Sequence, residues 1–156
     1  MSGRVWLLVL CCLFSGSAAM ARELPYDDNA DAPAQVAAAI QAGVREHRPV
    51  LLIFGANWCP DCRVLAKVLA SAPLAERLAS SVELVKVDVG NFDHNMELAM
   101  SVGNPIAGGI PAAVLIGPDR QVLASTKPGE LADARKMSGD GIVALFDRLL
   151  AAPRAH

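Results

Sequence analysis

The sequence lacks the charge pattern of a nucleic-acid-binding protein. Its 156 residues carry 14 Lys and Arg against 16 Asp and Glu, which gives a net charge of −2, and no run of five or more basic residues occurs. Because nucleic-acid binding needs a basic patch or stripe, nothing in the sequence suggests this class. Internal repeats and low-complexity tracts are also absent. With 53% apolar residues, the chain can build the core of one domain of ordinary size.

Long apolar runs are missing as well. The run at residues 5–14, VWLLVLCCLF, is far shorter than the roughly 20 residues that a membrane span needs. It follows the basic Arg4 and precedes small residues that end in Ala19-Met20-Ala21. This order is typical of an export signal, so we predict a signal peptide at residues 1–21, cleaved after its last residue. An uncleaved membrane anchor is the alternative interpretation.

Cysteine is scarce. Of the four cysteines, Cys11 and Cys12 fall in the predicted signal, which leaves Cys59 and Cys62 in the exported protein. An oxidising compartment seldom leaves a spare thiol idle. A disulfide across so short a loop would constrain the unfolded chain only a little. A redox pair is therefore favoured over a purely structural disulfide.

A metal site is the other use that two thiols could have. A closed zinc site needs four ligands, and the chain has no second C-x-x-C. His94, Met96 and Met100 could add soft ligands for copper. However, two methionines four residues apart are more typical of a core stripe, and His94 is more typical of a solvated cap residue. We expect neither a bound metal nor a cofactor.

Hydrophobic periodicity predicts an α/β domain at residues 34–152, after an extended lead-in at 22–33. The run VLLIFGA at 50–56 is typical of a strand buried on both faces. A strand–helix–strand crossover implies parallel pairing with helices on both faces of the sheet. Residues 127–140 are predicted to be irregular, with a short helical turn at 130–135 as the alternative, and Pro73 is expected to break or kink the second helix. The predicted helices are 34–46, 63–69, 93–102 and 142–150, and the other strands are 82–90, 112–117 and 120–125, the last two in an antiparallel hairpin.

The two remaining cysteines are predicted to lie where the first strand enters a helix. Pro60 suits the first helical position, which puts Cys59 at the helix start and Cys62 one turn further, within bridging distance. The helix dipole stabilises a thiolate at Cys59, so Cys59 is the expected nucleophile and the more shielded Cys62 the resolving thiol. The negative carboxylate of Asp61 destabilises a neighbouring thiolate by about as much as the helix dipole stabilises it. The sequence therefore does not determine the reduction potential of the pair.

Two motifs give the chain a resemblance to the thioredoxin-like family. They are Trp58-Cys59-Pro60-Asp61-Cys62 after a buried strand and Gly109-Ile110-Pro111 before the hairpin. The resemblance spans residues 32–152 and implies a thioredoxin-like fold, an α/β domain with a central mixed sheet of four to five strands flanked by helices on both faces. It also implies that Pro111 is cis and lies against the cysteines, and that the backbone of Ile110 pairs with the substrate. Asn104-Pro105 is the rival cis position.

The motifs also depart from the family pattern. Thioredoxins usually carry Gly-Pro between the cysteines and a buried aspartate six residues before the first one; here these places hold Pro60-Asp61 and Ile53. Asp61 and Lys86 are the candidates to replace the missing proton acceptor, although a strand-edge lysine reaching solvent fits Lys86 equally well. Trp58 is expected to shield the disulfide and form the rim of the substrate site. The stretch at 129–137, GELADARKM, resembles the tails of exported bacterial relatives and has no assigned role.

The resemblance implies an exported thiol–disulfide oxidoreductase of the bacterial periplasm, soluble in its mature form. Its substrates would be cysteine-containing exported proteins. Ile110 before the proline, and Asp61 opposing the thiolate, favour reduction over oxidation. A reductase in an oxidising space also needs an electron donor, for which a membrane protein is expected. A copper carrier that uses the same two thiols is the alternative from another functional class.

Overall fold

The structure, a computed structural model, describes residues 24–152, so the predicted signal peptide lies outside the described residues. None of the described helices combines the length and apolar character that crossing a membrane requires. The strands are β1 (Val50–Gly55), β2 (Glu83–Asp88), β3 (Ala112–Ile116) and β4 (Val122–Ser125). The helices are α1 (Ala32–Glu46), α2 (Pro60–Leu69), α3 (Leu74–Ser81), α4 (Met96–Ser101) and α5 (Gly139–Leu150).

The four strands form one mixed sheet in the order β2-β1-β3-β4. Strand β1 pairs in parallel with β2 and antiparallel with β3, and β4 continues the sheet as an antiparallel hairpin with β3. Every residue of β1 and β3 is buried, which is why these two segments are continuously apolar in the sequence. The predicted fold class, a mixed sheet of four to five strands, is confirmed.

Helices cover both faces of the sheet, and alternate residues of β1 contact them. Leu52 and Phe54 belong to a core layer under α1 and α4. Leu51 and Ile53 belong to a second layer under α2, α3 and α5. Because side chains of a strand alternate between faces, a continuous apolar run is the sequence that two such layers require.

Helix α3 is missing from the sequence prediction, which treats Pro73 only as a break. Helix α2 ends at Leu69, and Pro73 is the N-cap of the next helix, in which Leu74 and Leu78 lie one turn apart and are both buried. The fourth helix is shorter than predicted, since Asn95 adopts a left-handed conformation with φ 54° and α4 begins only after it.

The lead-in before the first helix folds back onto the sheet. Helix α1 begins at Ala32, two residues earlier than predicted, because the side chain of Asp31 accepts a hydrogen bond from Ala34 N at 2.9 Å. Residues 24–31 form bends and a turn rather than an extended segment. Within them, Tyr26 is only 3% exposed and is part of the core.

Candidate active site

Cys59 is the residue that caps helix α2. Its backbone is extended at φ −72° and ψ 117°, and its sulfur accepts a hydrogen bond from Cys62 N at 3.2 Å. Pro60 occupies the first helical position, where no backbone N–H is needed. The structure thus places Cys59 at the positive end of the α2 helix dipole, as the sequence predicts.

Cys62 lies one turn along α2 and is fully buried, whereas Cys59 is 3% exposed. Burial raises the pKa of the Cys62 thiol far above its ordinary value, and the hydrogen bond with Cys59 and the negative charges of Cys59 and Asp61 raise it further, against a backbone hydrogen bond from Ala56 that lowers it. Cys62 is therefore a protonated thiol at neutral pH.

The loop before β3 lies against the cysteine pair. The carbonyl oxygen of Ile110 is 3.7 Å from Cys59 Sγ, and Ile110 and Pro111 are both buried. Among the described residues, the cis peptide bonds are Ala72–Pro73 and Ile110–Pro111. Gly109 has φ 107°, a conformation that favours glycine. The rival position, Asn104-Pro105, instead opens a short 3-10 turn, Pro105–Gly108.

Trp58 lies at the exposed rim of the site rather than in the core. Its side chain is 52% exposed, and its indole Nε1 donates a hydrogen bond to Gly90 O at 2.8 Å. The ring of Phe92, also exposed, meets it edge to face with centroids 6.4 Å apart. Sequence reasoning missed Phe92, because no motif marks the turn after β2. The two rings form an exposed apolar surface, and Trp58 immediately precedes Cys59 in the chain.

Asp61 is paired with an arginine that sequence reasoning did not single out. Its side chain is buried, and Oδ1 accepts a hydrogen bond from Arg135 N at 2.9 Å. The guanidinium Nε of Arg135 lies 3.2 Å from Oδ1 and 3.1 Å from Oδ2. The cation balances a charge that the sequence analysis treats as unopposed. Arg135 comes from the segment at 127–140, which was expected to be irregular; it contains the 3-10 turn Ala134–Lys136, and α5 begins at Gly139.

This segment also contacts the loop before β3. A Cβ on Gly108 would lie 2.3 Å from Gly129 N and 2.5 Å from the carbonyl carbon of Pro128, so the two backbones touch where only a glycine fits. Between Gly129, which touches the loop, and Arg135, which binds Asp61, Leu131 and Ala134 are fully buried. Residues 128–136 therefore connect the loop to helix α2, and we call them the bridging segment.

Lys86 lies on β2 directly opposite Ile53. It is half-buried and lines an open groove together with Arg63 and Lys67 of α2. The charged residues that line this groove are these three cations and Asp27. Ile53 is buried in the core layer on the α2 side of the sheet.

The three residues considered as copper ligands differ in their exposure to solvent. His94 is exposed, and its Nδ1 lies 2.8 Å from Asp93 Oδ1. Met96 packs against the core, but Met100 is 62% exposed, so the predicted core stripe is wrong for Met100. Over residues 24–152, the structure has no group of three or more His, Cys, Asp or Glu side chains placed to hold a metal ion.

A tyrosine that sequence reasoning missed borders the cysteine pair. A Cβ on Gly55 would lie 2.2 Å from the Tyr26 hydroxyl oxygen and 3.0 Å from Cys62 Sγ, so both atoms flank the space above this glycine. The backbone of Tyr26 is held by the side chain of Asn57, whose Oδ1 accepts from Tyr26 N at 3.0 Å and whose Nδ2 donates to Tyr26 O at 2.8 Å. The only hint in the sequence is a glycine at the end of an otherwise bulky strand.

Comparison with known proteins gives the same family as the motifs. A family model described as thioredoxin-like matches residues 31–118. The chain is 52% identical to a disulphide isomerase from Xylella fastidiosa Temecula1, with a TM-score of 0.79, over 82% of this chain and 98% of that one. The oxidised C-terminal domain of DsbD from Neisseria meningitidis shares the fold at 20% identity and a TM-score of 0.56, over 77% of this chain and 97% of that domain. A DsbH oxidoreductase shares it at 21% identity and a TM-score of 0.53, over 73% and 80% of the two chains. The chain thus belongs to the thioredoxin-like family.

Proposed function

We propose that this protein is an exported thiol–disulfide oxidoreductase in which Cys59 is the nucleophile and Cys62 the resolving thiol. The observation that carries the proposal is the hydrogen bond from Cys62 N to Cys59 Sγ at 3.2 Å, at the start of α2. A donor aimed at this sulfur, together with the helix dipole, stabilises the thiolate that attacks a disulfide. The relative named a disulphide isomerase, at 52% identity, supports the same chemistry.

The reaction takes two exchange steps. The Cys59 thiolate attacks one sulfur of the substrate disulfide; the mixed disulfide forms, and the other substrate sulfur leaves as a thiolate. Cys62 then attacks Cys59 Sγ, the Cys59–Cys62 disulfide forms, and the second substrate thiolate leaves. The proton that Cys62 loses is taken up by the departing sulfur, and the substrate gains two electrons overall. A buried Cys62 that stays protonated does not compete with Cys59 in the first step.

We propose that the physiological direction is reduction of disulfides in cysteine-containing exported proteins. A dithiol protein becomes a strong oxidant when its reduced form is stabilised. Here burial and the Asp61 carboxylate both disfavour a thiolate at Cys62, as its raised pKa indicates. This favours a reducing pair, although Arg135 partly compensates Asp61. The N-terminal sequence supports export to a bacterial periplasm, and re-reduction there needs a membrane electron donor.

Trp58, Phe92 and the backbone of Ile110 form the proposed substrate surface. The exposed rings offer apolar contact beside Cys59, and the Ile110 carbonyl lies 3.7 Å from Cys59 Sγ, near the path of an extended substrate chain. Pro111 positions that carbonyl, and Pro60 starts the helix that presents Cys59. Lys86 lies in the groove beside α2 with Arg63, Lys67 and Asp27, and its role in place of the missing proton acceptor stays a prediction.

Insulin reduction with a dithiol donor tests the proposal. The wild-type protein is expected to catalyse turnover, and Cys59→Ser is expected to abolish it. Equilibration with glutathione gives the potential of the Cys59–Cys62 pair, and a value near about −120 mV would contradict the reducing direction. Tight binding of Cu(I) without any insulin turnover would instead favour a copper carrier.

A further inference from the structure

Tyr26 places a buried phenol beside the thiol that must ionise in the second exchange step. We propose that the Tyr26 hydroxyl donates a hydrogen bond to the Cys62 sulfur as it becomes a thiolate, and so accelerates release of the mixed disulfide. The inference rests on the proposed role of Cys62 as resolving thiol and adds a positioning residue from the N-terminal segment.

The space above Gly55 brings the two groups together. The Tyr26 hydroxyl oxygen and Cys62 Sγ lie 2.2 Å and 3.0 Å from the position that a Cβ on Gly55 would take. No side chain other than that of glycine leaves room for both. Ile53, two residues earlier on the same strand, is buried and apolar and offers Cys62 no polar group.

The tyrosine is held in place by the residue that precedes the motif. Asn57 makes hydrogen bonds of 3.0 Å and 2.8 Å to both backbone polar groups of Tyr26. The residue is only 3% exposed, so little of the side chain is in contact with water. A phenol fixed in this way loses little conformational freedom when it donates to a developing charge, and a hydrogen bond to a charged group is stronger than one between neutral groups.

The charges around the ring keep the phenol protonated. Burial raises the pKa of Tyr26 well above its ordinary value, and the negative charges of Cys62, Cys59 and Asp88 raise it further. Tyr26 is thus a hydrogen-bond donor at neutral pH and not a base. The proton of Cys62 therefore still ends on the departing substrate thiolate, and Tyr26 keeps its own throughout the step.

Rapid-quench kinetics with Tyr26→Phe test the role, because phenylalanine keeps the ring and removes only the hydroxyl. With a disulfide-bonded peptide as substrate, mass spectrometry follows formation and release of the mixed disulfide separately. Formation is expected within about twofold of wild type and release about tenfold slower, with the pH profile of release moved to higher pH. Release at the wild-type rate, or an equal slowing of both steps, would overturn the role of the hydroxyl.

Asn57→Ala provides a second variant that retains the hydroxyl but loses both hydrogen bonds to the Tyr26 backbone. It is expected to slow release more than formation, as Tyr26→Phe does, and an unchanged ratio of the two rates would count against the positioning argument. Wild-type protein in the same assay tests the proposed function independently. If it forms no mixed disulfide on Cys59, the oxidoreductase proposal fails, whereas a wild-type reaction with unaltered variants rejects only the role of Tyr26.

Discussion

Arg135 holds the carboxylate of Asp61 from 74 positions further along the chain, through its backbone N–H at 2.9 Å and its guanidinium Nε at 3.1 and 3.2 Å. Asp61 lies between the two cysteines, so the bridging segment is bonded directly to the redox motif. Its other end touches the loop of Ile110 through Gly108 and Gly129. The two halves of the candidate site are therefore connected by a segment without regular secondary structure.

Replacing Arg135 with alanine should leave a buried carboxylate without its cation. The backbone hydrogen bond remains and Arg135 is half-exposed, so we expect a loss of about 1–2 kcal/mol in the free energy of unfolding rather than the larger cost of a fully buried pair. The uncompensated charge should also make the Cys59–Cys62 potential more negative. Urea unfolding and glutathione equilibration measure the two effects.

The control for this experiment is Lys136→Ala. Lys136 is adjacent in the chain and also forms an ion pair, at 3.2 Å to Asp133, but both side chains are largely exposed. Its removal should change stability and potential very little. Equal effects of the two substitutions would show that the Arg135–Asp61 pair has no special influence on the thiols.

Substitution of Cys59 and substitution of Cys62 should block different steps of the exchange reaction. Cys59→Ser is expected to form no mixed disulfide with a substrate, because the nucleophile is gone. Cys62→Ser should form one and keep it, because nothing attacks Cys59 Sγ. Non-reducing gels and mass spectrometry of protein incubated with an oxidised peptide distinguish the two. Accumulation of a mixed disulfide on Cys62 in the Cys59→Ser variant would reverse the assigned roles.

Stability of the reduced protein should fall at alkaline pH. The pKa of Cys62 is higher in the folded state than the ordinary thiol value of 9.0, so the folded state binds more protons once the unfolded thiol begins to ionise. The stabilising contribution is complete below about pH 9 and is lost above it, at up to about 1.4 kcal/mol per pH unit.

Urea titrations of the reduced protein at several pH values between about 7 and 10 measure this loss. Cys62→Ala is the comparison, since it removes the titrating thiol and retains the rest of the site. It should show a shallower decline above about pH 9. Identical slopes for the two proteins would mean that the Cys62 thiol ionises equally easily in the folded and unfolded states.

Adding a methyl group at Gly55 should destabilise the protein. The new Cβ would lie 2.2 Å from the Tyr26 hydroxyl and 3.0 Å from Cys62 Sγ, so the tyrosine must move. We expect Gly55→Ala to cost about 1–3 kcal/mol in the free energy of unfolding and to slow the second exchange step. Gly139→Ala is the matched control, because a Cβ there meets no atom within 4 Å. Thermal and urea unfolding of both variants measure the two changes in the free energy of unfolding, and equal changes would contradict the prediction.

The parts of the fold that are predictable from sequence are those in which a local pattern and the tertiary environment agree. Strand β1 is buried on both faces and is continuously apolar, and Pro60 follows the capping Cys59 directly. Helix α3 was missed because Pro73 was assigned only a terminating role, although Leu74 and Leu78 carry a helical spacing. A short helix with two buried residues leaves little periodicity to detect.

The contacts that Arg135 and Tyr26 make at the site were not predictable, because each one joins distant parts of the chain. Arg135 lies in a segment without periodicity, and its partner is defined only after the bridging segment has packed its buried Leu131 against the core. Tyr26 precedes the first helix in a polar stretch that has no pattern of its own. Its backbone is held by Asn57, 31 positions away, and its ring packs in the core.

The packing of Tyr26 in the core limits how far the protein can be truncated from its amino-terminal side. A fragment trimmed to the first helix, at Ala32, would retain every helix and strand found within residues 24–152. It would nevertheless open a hole above Gly55 and leave the amide of Asn57 without its partners. The proposed role of Tyr26 therefore requires that the amino-terminal boundary of a working fragment lie before this residue, upstream of the first helix.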